Sequence, residues 1–327
     1  MMKLVRALLS LTLLLMAAIL VLWHWPSSKS HYADALLQPQ SPRSATGLTM
    51  AWGGVSSLLL TDGQTTLAID PFYSRPEGLV KLALNQAMQP DPEAIAAGLA
   101  RAGMTDVDAV LVSHAHYDHS MDAGVMAQRY AAKLYGGPSV MRIGEGAGLA
   151  AEQQIRVRPE QTYAVGDFRL RFIPSAHAGA TGGYPSGDIE QPLVPPQGYA
   201  AYKLGQVWSI LIEHPHGTIL HHGSAGFIPG RLAAAAINAD VLLLGVALVE
   251  DWTSYLREVV DASGAHTLIP LHWDNFLEPF GPQVRPMPLV VDLPQFFQVM
   301  RQQRPQLRIA TLPAGDPVLV PIASPHD

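Results

Sequence analysis

Ser113-His114-Ala115-His116-Tyr117-Asp118-His119-Ser120-Met121-Asp122 packs three imidazoles and a carboxylate into six consecutive positions, in the pattern H-x-H-x-D-H. Directly upstream, Asp108–Val112 (DAVLV) is an apolar, β-branched run that reads as a buried strand, and Met121–Tyr130 downstream suits a helix. The cluster therefore falls on a tight loop at the carboxyl end of a strand, where open α/β sheets place their ligand sites. Alternate histidines on an extended loop can turn toward one point, and neutral imidazole nitrogens suit zinc or another borderline transition metal. A lone histidine is usually a surface residue or a satisfied core residue. Four candidate ligands in six positions at a strand end predict a metal site instead.

The same pairing of strand end and ligand recurs along the chain. Val55–Leu60 and Thr65–Ile69 read as strands joined around Asp62-Gly63, a hairpin signal, and the second ends in Asp70-Pro71. Phe168–Ser175 alternates as a half-buried strand and stops just before His177. Thr218–Leu220 runs into His221-His222, and Thr267–Leu271 into His272-Trp273-Asp274. Histidines placed without regard to structure would scatter relative to strand ends, and these do not. Asp70 takes a supporting role beneath the cluster in this reading.

Composition narrows the chemistry. The 327 residues are 48% hydrophobic and 15% charged, enough for one large domain or two small ones. Net charge is −6, with no basic run beyond the first residues, which argues against nucleic-acid partners. The chain has no cysteine, so disulfides, thiolate metal sites and cysteine nucleophiles are excluded. A metal must be held by histidine, carboxylate or water, and the 13 histidines make that practical.

Lys3 and Arg6 precede an apolar run from Ala7 to Trp23, followed by Trp25. A run of about 17 residues is the lower limit for crossing a bilayer, and it is long for a signal-peptide core. Residues 1–26 are therefore expected to be an uncleaved membrane anchor; a signal sequence cut at Ala33-Asp34-Ala35 is the rival reading. Either way, positive charge ahead of the run keeps the N-terminus in the cytoplasm and sends the rest across. The expected location is the inner membrane with the domain on the periplasmic side, or the periplasm itself after cleavage. Residues 27–47, rich in Ser, Pro and Gln, read as a linker, with the folded domain starting at Leu48.

Elsewhere Asp91-Pro92-Glu93 opens a helix that Gly103 ends, Gly144–Gly148 reads as a glycine-rich turn, and helices follow at 229–237, 254–264 and 292–303. Ala178–Gly205 is a long Gly- and Pro-rich loop of the functional kind, in which Tyr184, Tyr199 and Tyr202 are candidates to line a pocket. Strand pairs at both ends with helices between them predict an α/β fold: a four-layer αββα sandwich of two mixed sheets behind an N-terminal membrane helix.

H-x-H-x-D-H after an apolar strand resembles the signature of the metallo-β-lactamase-fold hydrolases, and the order of motifs from Leu48 to the C-terminus resembles theirs throughout. The resemblance makes residues 48–327 a metallo-β-lactamase-like hydrolase domain, nearest the lactonase and phospholipase-D-like branch. It assigns His114, His116 and His177 to a first metal and Asp118, His119 and His272 to a second, with Asp118 and His119 also at the chemistry. One or two zinc ions, or manganese or iron, would activate water. There is one departure. Where the superfamily bridges its metals with an aspartate, this chain has Gly223-Ser224-Ala225. One metal alone, two metals without the bridging carboxylate, or His221 or His222 as a stand-in are the open outcomes, with His222 and Ser224 the uncertain members of the site. A serine nucleophile at Ser224 is disfavoured, since metal-bound imidazoles have no lone pair to serve as base. Histidine at 116 argues against the di-iron oxidoreductases of this fold, which carry glutamate there.

The expected function is hydrolysis of an ester, lactone or phosphodiester bond in a small or lipid-derived molecule. The alternative is a non-catalytic metal-binding scaffold of the cell envelope that has lost its bridging aspartate. Oligomeric state is not legible from the sequence.

Overall fold

The computed structural model describes residues 2–24, 30–40, 47–76, 78–179, 184–288 and 290–322. In chain order the strands are β1 Thr49–Gly54, β2 Ser57–Thr61, β3 Thr66–Ile69, β4 Ala109–Leu111, β5 Lys133–Gly136, β6 Gln154–Arg156 and β7 Thr162–Val165. They continue with β8 Phe168–Pro174, β9 Trp208–His214, β10 Gly217–His222, β11 Val241–Gly245, β12 Thr267–Leu271, β13 Arg308–Ile309 and β14 Val318–Leu319. One sheet has the order β14-β1-β2-β3-β4-β5-β6 and the other β13-β12-β11-β10-β9-β8-β7.

Both sheets are mixed, as expected, and they share one pattern. From β14 to β3 the neighbours are antiparallel, and from β3 to β6 parallel. From β7 to β10 they are antiparallel, and from β10 to β13 parallel. β3 through β6 thus end on one edge of their sheet. β8, two antiparallel steps from β10, ends on the same edge as β10, β11 and β12. Every strand that precedes a candidate ligand delivers it to one rim.

Side-chain alternation builds the layers. Leu58, Leu60, Leu67, Ile69 and Leu111 point into a core shared with Phe168, Leu170, Phe172, Ile210 and Ile212 of the second sheet. Leu59, Ala68, Val110 and Val112 point the other way, onto Ile95, Leu99, Met126 and Val140 of the covering helices. On the far side, Leu256, Val259, Leu293 and Phe296 join the first core from the helical segments after β11 and β12. The arrangement is helix, sheet, sheet, helix. Asp91 caps the Pro92–Arg101 helix through the Glu93 and Ala94 N–H groups, as its sequence indicates.

Three sequence readings change. Within the stretch expected to be a linker, the described residues 30–40 are packed: helix Ser30–Asp34 leads into Leu37, whose N–H donates to the Thr311 carbonyl, and Tyr32 is 7% exposed. The Gly144–Gly148 turn is instead the end of a helix, Pro138–Gly146. β10 runs two residues further than expected, so His221 and His222 are strand residues facing opposite sides rather than members of a loop.

The N-terminal segment forms a helix, Met2–His24, on which Leu9, Leu11, Leu13, Leu14 and Leu15 stand exposed. Among the described residues no helix is long and apolar enough to cross a membrane. The side chains of Ala7, Leu8 and Leu20 lie outside the described residues, so the anchor is carried forward only as a proposal.

Candidate metal centre

The loop after β4 and the segments after β8 and β12 converge at the rim. His114, His116 and His177 bring one ligand atom each within 4.8 Å of one another, and so do Asp118, His119 and His272. The imidazole rings of His114, His116 and His177 lie 4.6–5.0 Å apart, and that of His114 is 3.9 Å from that of His119, so the two trios adjoin. Both are the sets drawn from the sequence.

Hydrogen bonds fix which nitrogen each ring presents. Ser113 Oγ donates its one proton to Asp70 Oδ2 at 2.6 Å, so at 3.1 Å it can only accept from His114 Nδ1. His119 Nδ1 donates to Asp70 Oδ2 at 2.8 Å, His116 Nε2 to the Pro185 carbonyl at 3.2 Å and His177 Nδ1 to the Ala178 carbonyl at 2.5 Å. Each ring therefore keeps one lone pair: Nε2 of His114, His119 and His177, and Nδ1 of His116. Nε2 of His114 and of His119 is buried with no hydrogen-bond partner. A buried acceptor left empty is costly unless something electrophilic occupies the point it faces. The donor set fits a metal.

The electrostatics favour neutral rings. Burial, and the imidazoles around it, hold His114 well below the ordinary imidazole range. Burial likewise lowers His116 to about 4 and His177 to about 3. His119 behaves differently: burial disfavours its charge, but Asp118 and Asp70 outweigh that and raise it. Burial also opposes ionisation of Asp118, yet His119 and His272 overcome it and keep a carboxylate there. Asp118 Oδ2 lies 3.4 Å from His272 Nε2 and 3.7 Å from His119 Nε2.

Backbone strain marks the same place. Asp70 and His272, each the residue after a parallel strand, sit at φ 45° and 56°, a left-handed conformation costly for non-glycine residues. Both are held there. Asp70 Oδ1 accepts the Ser113 N–H at 2.7 Å, and the His272 N–H donates to the Val55 carbonyl at 2.8 Å. Val55 in turn donates its N–H to Asp274 Oδ1 at 2.7 Å, and Arg75 Nη2 pairs with Asp274 Oδ2 at 2.6 Å. Gly54 makes room for this pair, since a Cβ there would lie 1.7 Å from Arg75 Nη2. Nothing in the sequence around Arg75 announces it. Ser113 lies inside the decisive stretch, but its role shows only in the fold.

Two residues carried as uncertain stand apart from both trios. His222 faces the outer layer, its Nδ1 2.7 Å from Ser209 Oγ and its ring 5.8 Å from Tyr255, so it does not replace the missing carboxylate. Strand alternation explains this, because His221 takes the inner face and meets the Ser56 carbonyl at 3.0 Å. Ser224 is closer to the site: its Oγ accepts the Ala178 N–H at 3.0 Å, one residue from His177. Of the loop tyrosines, Tyr184 reaches the site, 4.5 Å from the His177 ring and 5.4 Å from that of His116. Tyr199 packs on Tyr117, and Tyr202 is core. A third group, Asp62, Asp167 and His214, is geometrically close, but His214 Nδ1 accepts the His216 N–H and its Nε2 faces Asp62 at 3.3 Å. That ring has no lone pair to offer.

Comparison with known proteins agrees with this geometry. A Myxococcus xanthus protein described as a metal-dependent hydrolase is 26% identical over 230 residues, covering 69% of this chain and 70% of its own. Among solved structures, a metallo hydrolase from the archaeon Ignicoccus hospitalis superposes with a TM-score of 0.55 at 16% identity, covering 84% of this chain and 98% of its own. An isothiocyanate hydrolase from Delia radicum gut bacteria gives 0.53 at 15% identity, covering 83% and 99%; at such identities the likeness is one of fold. The model of the β-lactamase superfamily domain matches residues 65–273, well over half of the chain, and the protein belongs to that family.

Proposed function

We propose that the protein is a metal-dependent hydrolase acting on an ester, lactone or phosphodiester bond, with His114, His116 and His177 holding one ion and Asp118, His119 and His272 a second. The observation that carries this reading is the convergence of imidazole lone pairs, each fixed by a partner on the ring's other nitrogen. When bound, a divalent ion supplies Lewis acidity and brings the pKa of water down to about 7. Zinc is the first expectation for such a histidine-rich set, with manganese and iron as alternatives. Asp118, held ionised beside His119 and His272, supplies the negative charge of the second trio at the chemistry. Tyr184 flanks the approach beside His177.

Elemental analysis of the full-length protein tests the metal: one to two ions per chain are expected, and none once His114, His116, His119 and His272 are all replaced by Ala. A screen of lactones, phosphodiesters and β-lactams tests the reaction. No chelator-sensitive turnover of any of them would overturn the hydrolase reading.

Ser224 favours a second reading, a metal-binding scaffold without activity. The neutral hydroxyl is already spent on the Ala178 N–H and brings no negative charge between two cations. Ser224→Asp separates the readings. Gain of hydrolysis by the variant over an inactive wild type would favour the scaffold; an active wild type excludes it.

For location, we propose that Met2–His24 anchors the domain on the periplasmic side, within reach of lipid-derived or envelope substrates. Tyr32 speaks for an intact N-terminus, since cutting after Ala35 would strip a buried side chain from the fold.

A further inference from the structure

A cleft of about 750 Å³ opens on the first trio at His177 and Tyr184 and runs outward to Arg156 and Arg158. The topology explains its course. β6 is the outermost strand of the first sheet and runs parallel to β5, so its carboxyl end carries Arg156, and then Arg158, to the rim that holds the histidines. Across the cleft, Pro174–His177 leave β8, and Gln206–Trp208 enter β9. The volume suits a small organic ligand.

The lining is asymmetric in charge. It includes two arginines and, among the described residues, no aspartate or glutamate, in a chain that carries 27 acids against 21 bases. The nearest acid in sequence, Glu160, faces Arg231 at 4.0 Å and does not line the cleft. The rest of the lining sets apolar Pro159, Pro174, Leu204 and Val207 beside Ser175 and Gln206. Trp208, 4% exposed, completes the lining. Guanidinium forks at one end, with metal-ligand lone pairs at the other, define a ligand from both sides.

We infer that the substrate carries an anionic oxygen group, carboxylate or phosphate, which Arg156 and Arg158 bind while an apolar body spans the cleft and sets the scissile bond beside His177. This rests on the hydrolase reading for the reaction, but not for the binding. Arg156 and Arg158 are specificity residues; neither touches the reacting bond.

Calorimetry on the metal-free, full-length chain keeps the two apart, because no ion is then present to attract anions. The probes are 4-phenylbutyrate, phenyl phosphate and the neutral 4-phenylbutanol. At least one anion should bind about tenfold more tightly than the alcohol, and its identity tells carboxylate from phosphate. Arg156→Ala/Arg158→Ala should abolish that preference, while Arg257→Ala, at an exposed residue paired with Glu258, should keep it. In the metal-loaded enzyme, p-nitrophenyl hemiglutarate should exceed p-nitrophenyl valerate about tenfold in kcat/KM, and the double variant should lose the difference through KM. Anion preference without hydrolysis of either ester would support the cleft and count against the hydrolase. Equal binding of anions and alcohol, or a double variant that still prefers anions, would overturn the inference.

Discussion

An imidazole holds a metal only if the right nitrogen is left unprotonated, and in this protein that choice is made by oxygens on the adjacent residue for His114 and His177 and on distant segments for His116 and His119. Asp70 does the most: one carboxylate takes the Ser113 N–H and hydroxyl and the His119 Nδ1–H. Asp70→Asn keeps the size and tolerates the left-handed backbone, but its amide N–H₂ would face His119 Nδ1 and drive the proton to Nε2. Metal affinity should fall about 10- to 100-fold, measured by competition with a chromophoric chelator, with the melting temperature of the metal-free protein little changed. Equal affinity in the variant would remove Asp70 from the site's support. At this scale the sequence was informative about types: the ligands were legible from H-x-H-x-D-H and from histidines at strand ends, and were sorted into two trios by the resemblance to the metallo-β-lactamase-fold hydrolases. It was silent on direction. His222 stood only as an uncertain stand-in for the missing carboxylate, and the pairing of β10 with β9 and β11 turned it toward Ser209.

Among the elements, the segment before β1 departs most from expectation. Its Ser, Pro and Gln content and lack of periodicity read as linker, yet Tyr32 stacks 4.5 Å from Trp273 and donates its hydroxyl to the Leu312 carbonyl at 2.7 Å. Trp273 follows His272 directly, so this short helix braces the peptide that carries a candidate ligand. Tyr32→Ala should destabilise the protein by about 3–4 kcal/mol through the lost ring. Tyr32→Phe should cost only about 1 kcal/mol for the hydroxyl. Urea midpoints of the metal-free protein measure both, and an unchanged midpoint for the alanine variant would show that the brace contributes nothing. No local pattern could have revealed it, because the contact partners lie some 280 positions apart.

For the molecule as a whole, the fold does not depend on the metal. The sheets are joined by a core of Leu, Ile and Phe that excludes the site, and burial at its rim favours the neutral form of His114, His116 and His177. Chelator-treated protein should stay folded by far-ultraviolet circular dichroism. Adding zinc at 100 times its dissociation constant should then stabilise it by about 2.7 kcal/mol, raising the melting temperature by several degrees. His114→Ala/His116→Ala/His119→Ala/His272→Ala should abolish the rise, and unfolding on chelation would contradict this picture. By itself the sequence determined the layer type, the metal-ligand residue types and their attachment to strand ends, because strand periodicity and the spacing H-x-H-x-D-H are local properties of the chain. Tertiary structure alone decided which imidazole nitrogens are free, that His222 is excluded, that Tyr32 and Arg75 brace the site, and that two arginines share a cleft with His177. Apart from the neighbours that orient His114 and His177, those are contacts between residues distant in sequence, which the tertiary fold and not any local preference brings together.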